Sequence, residues 1–251
     1  MRRVDDAELT RRSVEGFAET VAVVGRASAG PEAVIRRPDA VGANVPAAAD
    51  NHWIDAVVVP AGARPPERDD PGLPHSLWTL AEGAIPGRVE EASIAMPCLA
   101  LVLDRVIDLG GGLPVGRPTP AEVGEVNDRA YGQGGALGSL LGALRDDRVE
   151  AHGVRADSGE GWACVALTLR LGDDVSVQYV ATEQDHRRRG LASGLLRTVL
   201  DAARAAGART ATLQASPDGL PVYERLGFRR TATLHAHLRA APDRRPGREP
   251  T

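Results

Sequence analysis

VSVQYVATEQDHRRRGLASGLLRTVLDAARAAGARTATLQASPDGLPVYERLGF, running from Val175 to Phe228, is the stretch from which the rest of the chain can be read. Val175 to Thr182 alternates and is rich in β-branched residues, which predicts a strand. Gly190 to Ala206 places Leu191, Leu195, Leu196, Val199, Leu200 and Ala203 on one face of a helix, and Gly207 follows as its C-terminal cap. Between them sits Arg187-Arg188-Arg189-Gly190-Leu191-Ala192. A helix N-terminus offers unpaired N–H groups and the positive end of the helix dipole, and both attract anions. Gly190 has no Cβ to hold an anion off the backbone, Ala192 is nearly as small, and arginines supply fork-shaped donors. Taken alone, the same residues are equally a solvated basic turn before a surface helix. Thr210 to Ala215 predicts a second strand. Asp218 to Phe228 predicts a short helix ending at Gly227, with Phe228 opening a further strand.

The order Arg-x-x-Gly-x-Ala, then Tyr223, then Leu226-Gly227-Phe228 resembles the acetyl-CoA-binding core of the GCN5-related N-acetyltransferase (GNAT) superfamily. That resemblance implies a role for each matching residue. The backbone of Val180, Ala181 and Thr182 would pair with the pantetheine arm. Arg187, Arg188, Arg189, Gly190, Leu191 and Ala192, with Ser193 beside them, would hold the pyrophosphate. Tyr223 would protonate the departing thiolate, and a phenol with a reference pKa near 10 suits that task; the alternative is a packed aromatic with its hydroxyl bonded elsewhere. Ser216 stands where many members have an asparagine, and its hydroxyl would reach the cofactor or cap the short helix. The family often carries a basic carboxylate on the strand before the turn. Here that strand offers Gln178 and Tyr179, with Glu183 and Asp185 following in the turn, so the base would act through water or come from elsewhere. Asn127, Asp128 and Tyr131 fall where the family's first helices line the acceptor cleft; the alternative is a helix end packed on the surface.

Composition narrows the field. All thirty basic residues are arginine, which excludes a Gly-Lys-Ser/Thr phosphate loop and any lysine nucleophile. A net charge of −4 gives no reason to expect nucleic acid as a partner. Cys98 and Cys164 sit in apolar surroundings far apart, and read as buried thiols. The charged segment Met1 to Leu9 lacks the apolar run of a signal peptide, and no segment approaches membrane-spanning length, so a cytoplasmic protein without a membrane partner is expected. His235 and His237 alternate on the last strand with no carboxylate or cysteine nearby, which predicts exposed imidazoles and no metal. Gly132 to Gly138 lacks dinucleotide-loop spacing and reads as a helix–helix turn. No spacing supports a Ser-His-Asp triad.

In chain order, a helix is expected over Asp5 to Arg26, an extended stretch from Val34, a strand over Asn51 to Pro60, a proline-rich loop over Arg64 to Pro74, a short helix over Leu77 to Gly83 and a strand over Ala95 to Asp104. Ile107 to Thr119, rich in glycine and proline, reads as a junction. Beyond it come a short strand at Pro114 to Pro118, helices over Pro120 to Gly132 (Thr119 as N-cap) and Ala136 to Arg145, then strands over Val149 to Ala156 and Trp162 to Leu171. The expectation is a mixed α+β protein with a smaller α/β domain over 1–106, a junction at 107–119, a GNAT acyltransferase fold over 114–239 and a disordered tail over 240–251. In size and mixed elements the first half resembles the degenerate partner domain of tandem acetyltransferases, and would wall the acceptor site or form a homodimer interface. The resemblance implies acetyl transfer from acetyl-CoA to a primary amine, on a small molecule or a peptide. The alternative is an acyl-CoA-binding regulatory module without chemistry, which the missing carboxylate favours.

Overall fold

The computed structural model describes residues 4–48, 51–66, 70, 72–82, 85–103, 112–132 and 134–239, with the backbone alone over 89–93. Helix α1 (Asp6–Ala29) begins where the Asp5 carboxylate accepts the Glu8 N–H at 2.9 Å, and it buries Leu9, Val14, Phe17, Val21 and Val24. A hairpin of β1 (Val34–Arg37) and β2 (Ala40–Ala43) follows, then β3 (Ala56–Val58), β4 (Ser76–Thr79) and the long β5 (Arg88–Val102). The second half runs α2 (Pro120–Tyr131), α3 (Ala136–Gly142), β6 (Val149–Arg155), β7 (Trp162–Leu171), β8 (Asp174–Thr182), α4 (Leu191–Ala205), β9 (Thr210–Gln214), α5 (Leu220–Arg225) and β10 (Arg229–Arg239). Thr119 caps α2 in a reciprocal box with Glu122, an arrangement worth about 1 kcal/mol.

Three expected elements differ. The strand expected over Asn51 to Pro60 shrinks to Ala56–Val58, because polar side chains take the backbone into turns first. Asn51 Oδ1 accepts the Trp53 N–H, and the Asp55 carboxylate accepts the N–H groups of Val45 and His75. The helix expected over Leu77 to Gly83 is instead β4, parallel to β3 and antiparallel to β10. Pairing on both sides and full burial of Leu77 and Trp78 outweigh a weak helical pattern. The strand expected over Pro114 to Pro118 is reduced to one bridge, Gly116 to Gly153.

Among the described residues ten strands join one sheet in the order β1-β2-β3-β4-β10-β5-β9-β8-β7-β6. The expected junction therefore does not divide the sheet, and its residues 107–111, like the tail 240–251, lie outside the described residues. β5, from the first half, lies between β9 and β10 and is antiparallel to both. Without it the two last strands of the second half have no neighbour in common. Helices cover both faces. Phe17 and Val21 of α1, Val123 and Val126 of α2, and Leu137 of α3 pack with Val165, Leu167 and Ala181 in one cluster. On the opposite face α4 sets Leu195 and Val199 against Cys164 and Ala166, and Leu196 and Leu200 against Val175 and Val177. Alternate residues of β7 and β8 thus serve opposite layers, as the strand period requires. Cys98 and Cys164 are buried and free, and burial pushes both thiols up to about 11. His237 is fully buried and His235 is largely so, which corrects the expectation of two exposed imidazoles.

Candidate active site

The site forms where the sheet comes apart. β8 and β9 are parallel neighbours only over Asp174–Ser176 and Thr210–Thr212, and beyond those residues they diverge. The unpaired edge of β8 from Val177 onward therefore faces a gap. A bulge opposite Val165 to Leu167 sharpens the divergence, with Tyr179 at a left-handed φ of 52°. Arg188, at 59°, is the other described non-glycine residue in that region. Each conformation costs about 1–2 kcal/mol, so the surrounding structure must hold both in place, as it commonly does at working sites. At Tyr179 the holder is visible: Asn127 Nδ2 donates to the Tyr179 carbonyl at 2.9 Å, tying α2 to the bulge.

Two clefts meet at this gap. One, of about 330 Å³, runs between β8, the start of α4 and α5; its wall includes Val180, Thr182, Arg187, Arg188, Gly190 and Tyr223. At its floor the Gly194 N–H takes the Gly190 carbonyl, and no side chain caps α4. The N–H groups of Leu191, Ala192 and Ser193 thus remain for a ligand in the cleft these residues line. Gly190 has φ 78°, and a Cβ built on it would meet nothing within 4 Å. The glycine is therefore required by its backbone conformation, and the room beside it is open. A bare helix end, open space and Arg188 together fit a diphosphate group.

Of the eleven residues that the resemblance assigns to the cofactor, nine line this cleft and two, Ala181 and Arg189, do not. Arg187, Arg188, Gly190, Leu191, Ala192, Ser193, Ser216, Val180 and Thr182 all line this cleft. Arg187 is also a strut, because its guanidinium donates to the Ala130 and Thr182 carbonyls at 2.5 and 3.2 Å. Arg189 turns away to Asp157 (2.7 Å) and His186 (3.0 Å) and does not line the cleft. Ala181 is buried under α1 and α2 with its backbone paired to Val165. The Val180 carbonyl accepts the Tyr131 hydroxyl at 3.1 Å. Ser216 Oγ accepts the Gly219 N–H at 3.2 Å, so it braces the turn before α5 as well as facing the cleft.

The second cleft, of about 290 Å³, opens on the other side of Tyr223. Tyr131, Val180, Ser216 and Tyr223 line both, which puts Tyr223 at their meeting point. Its ring packs edge-on against Phe228 at 6.0 Å, and its hydroxyl bonds to no described residue. Burial holds that phenol well above its usual range, so it carries its proton at neutral pH. Of the three residues expected to line an acceptor cleft, Asn127 and Tyr131 line this second cleft. Asp128 does not: its carboxylate accepts the N–H groups of Leu137 (3.4 Å) and Gly138 (3.2 Å), closing the start of α3. In the turn, Glu183 pairs with Arg129 at 2.8 Å. Sequence reasoning missed the first-half lining residues Phe17, Thr20, Asn51, Trp53, Ile94 and Met96. No motif marks them, since they converge only once α1 and β5 pack onto β8 and β9.

Comparison with known proteins bears on the fold. Residues 149–230 match the family model described as an acetyltransferase (GNAT) domain. A GCN5-related N-acetyltransferase from Kribbella flavida is 16% identical, with a TM-score of 0.58 over 92% of this chain and 96% of its own. A GNAT-family protein from Novosphingobium aromaticivorans is 19% identical, with a TM-score of 0.53 over 86% and 95%. A functionally unknown protein from Staphylococcus epidermidis, 9% identical, reaches 0.52 over 82% and 92%. No curated protein matches the sequence. Among the described residues no helix is long and apolar enough to cross a membrane. The segment from β6 to the start of β10 thus matches the GNAT acetyltransferase domain, and the chain shares its fold with GNAT proteins across nearly its whole length.

Proposed function

We propose that the chain transfers an acetyl group from acetyl-CoA to a primary amine. The observation that carries this reading is the meeting of two clefts at Tyr223, one ending at the bare N-terminus of α4. The amides of Leu191, Ala192 and Ser193, with Arg188, would hold the diphosphate of acetyl-CoA, whose thioester supplies the activated acetyl group. The unpaired edge of β8 would align the pantetheine arm and offer an N–H near Val180 to the developing oxyanion. Tyr131 and Asn127 fix that edge by holding the carbonyls of Val180 and Tyr179. The amine lone pair forms the new C–N bond, the C–S bond breaks with its electron pair going to sulfur, and Tyr223 donates its proton there. The nitrogen releases one proton to water, and Tyr223 regains one from solvent. Burial raises the phenol's pKa and so keeps it protonated at neutral pH, as a proton donor must be.

The test is Tyr223→Phe, assayed by thiol release with a panel of amines and by calorimetric titration of CoA. kcat should fall about 100-fold or more while CoA affinity changes less than threefold. Equal turnover in the variant would remove Tyr223 from the chemistry. Tight CoA binding without transfer to any amine would identify a sensor in place of an enzyme.

A further inference from the structure

The cleft on the acceptor side of Tyr223 has an unusual wall. The chain owns three tryptophans, three tyrosines and two phenylalanines. All three tyrosines, with Phe17 and Trp53, line this one cleft. Trp78 stacks behind Trp53 at 4.9 Å, and Phe17 stands edge-on to Trp78 at 5.5 Å, so the aromatic wall is rigid. Among the described residues the lining contains no charged side chain. Its polar groups are mostly amides and hydroxyls.

One of those amides has its orientation fixed from outside the cleft. The backbone carbonyl of Ser13 on α1 can only accept, so Gln214 must turn its nitrogen to it, at 2.8 Å, and to Ser13 Oγ at 2.9 Å. Gln214 Oε1 is then left to accept from Gln178 Nε2 at 3.2 Å, and Ser176 Oγ accepts the second Gln178 donor at 2.9 Å. Both hydrogens on the Gln178 nitrogen are thereby used. Its Oε1 is committed to no described residue, on a side chain that lines the cleft. Gly16 of α1 packs so closely over this ladder that a Cβ there would lie 2.5 Å from Ser176 Oγ.

We infer that the acceptor is a weakly basic amine carried on a flat apolar body, an aryl amine, whose N–H is accepted by Gln178 Oε1. This rests on the acetyl-transfer reading above. An amide oxygen can orient a neutral amine but cannot take its proton. An ammonium entering a cleft walled by Tyr, Trp and Met would lose its hydration with no carboxylate beside it among the described lining residues. An amine with a lysine-like pKa near 10.4 is only about 0.1% neutral at pH 7.5. A weakly basic aryl amine arrives neutral, and its ring fills the aromatic wall by offset or edge-on contact. In the step itself the nitrogen gains the acyl carbon, the C–S bond breaks, sulfur takes the Tyr223 proton, and the acylated nitrogen, now far more acidic, sheds one proton to water.

Matched ring amines with and without one methylene between ring and nitrogen test this on the full chain. With acetyl-CoA at pH 7.5 the aryl amines should show kcat/KM tenfold or more above their benzyl counterparts. That ratio should stay flat for an aryl amine between pH 7 and 9. Gln178→Glu should reverse the preference by tenfold or more, and Gln178→Leu should raise the aryl-amine KM at least tenfold with CoA affinity unchanged. Preference for the benzyl amines in the wild type, or a pH limb with an aryl amine that reveals an enzyme base, overturns the inference while leaving acetyl transfer intact. Failure to bind CoA, measured by calorimetry, brings down the acetyl-transfer reading with it.

Discussion

Asp174 closes the gap between β8 and β9 just before the strands part, and replacing it with asparagine tests how that point is held. Its carboxylate is 2% exposed and accepts the hydroxyls of Thr210 (2.5 Å) and Thr212 (2.7 Å). Desolvation by burial raises its pKa to about 6; the two threonine hydroxyls and Arg12 only partly oppose that. An unfolded aspartate titrates near 3.9. Between these values the native state keeps a proton that the unfolded chain has released. The stabilisation is therefore full below about pH 4 and is lost as pH rises through about 6, a change of about 3 kcal/mol at most. Asp174→Asn keeps the shape and removes the titration. Urea unfolding of both proteins at pH 4.5 and 7.5, followed by circular dichroism, isolates the effect, because every other ionisable group cancels in the difference. The asparagine variant should gain about 1–3 kcal/mol on the wild type between the two pH values. A difference that stays flat, or moves in the wild type's favour as pH rises, would show that Arg12 and the threonines outweigh desolvation, and the reasoning would be wrong.

Three further outcomes are expected. Burial, with Arg117 nearby, lowers His152 to about 4, so its contribution is present above pH 6.5 and lost as pH falls toward 4; His152→Gln should lose about 2–3 kcal/mol less than the wild type between pH 7 and 4 in the same unfolding assay. Gly16→Val drives a branched side chain into Ser176 and should cost about 2–3 kcal/mol, seen as a lower urea midpoint, and should slow transfer by disturbing Gln178; an unchanged midpoint would mean that α1 is not seated as described. Gly190→Ala meets no neighbour but must adopt φ 78°, so about 1 kcal/mol of stability should be lost and CoA should bind more weakly by calorimetry, since the strained turn relaxes away from the cleft.

How much of this could be read from residues alone depends on the range of the interactions. α2 was legible because Thr119, Pro120 and Glu122 form a local cap, and α4 because its apolar face repeats at helical spacing. The turn at Arg187 to Ala192 and the placement of Tyr223 on a short helix followed from the same local order. β4 was misread because four residues carry too little periodicity to declare themselves, and it is pairing with β3 and β10 that makes them a strand. Arg189 and Asp128 looked like site residues by position, yet each is satisfied by a partner distant or hidden in sequence, Asp157 and the start of α3.

By itself the sequence determined the succession of strands and helices in the second half, the anion-attracting helix end and the tyrosine. Each of those is written in spacings of a few residues, where hydrogen-bond geometry and side-chain period leave little choice. Only the tertiary structure decided that β5 lies between β9 and β10, that β8 and β9 part after Ser176, and that Phe17, Trp53 and Met96 wall the second cleft beside Tyr223. Those outcomes depend on which surfaces bury one another across a hundred residues or more, and no local pattern records that.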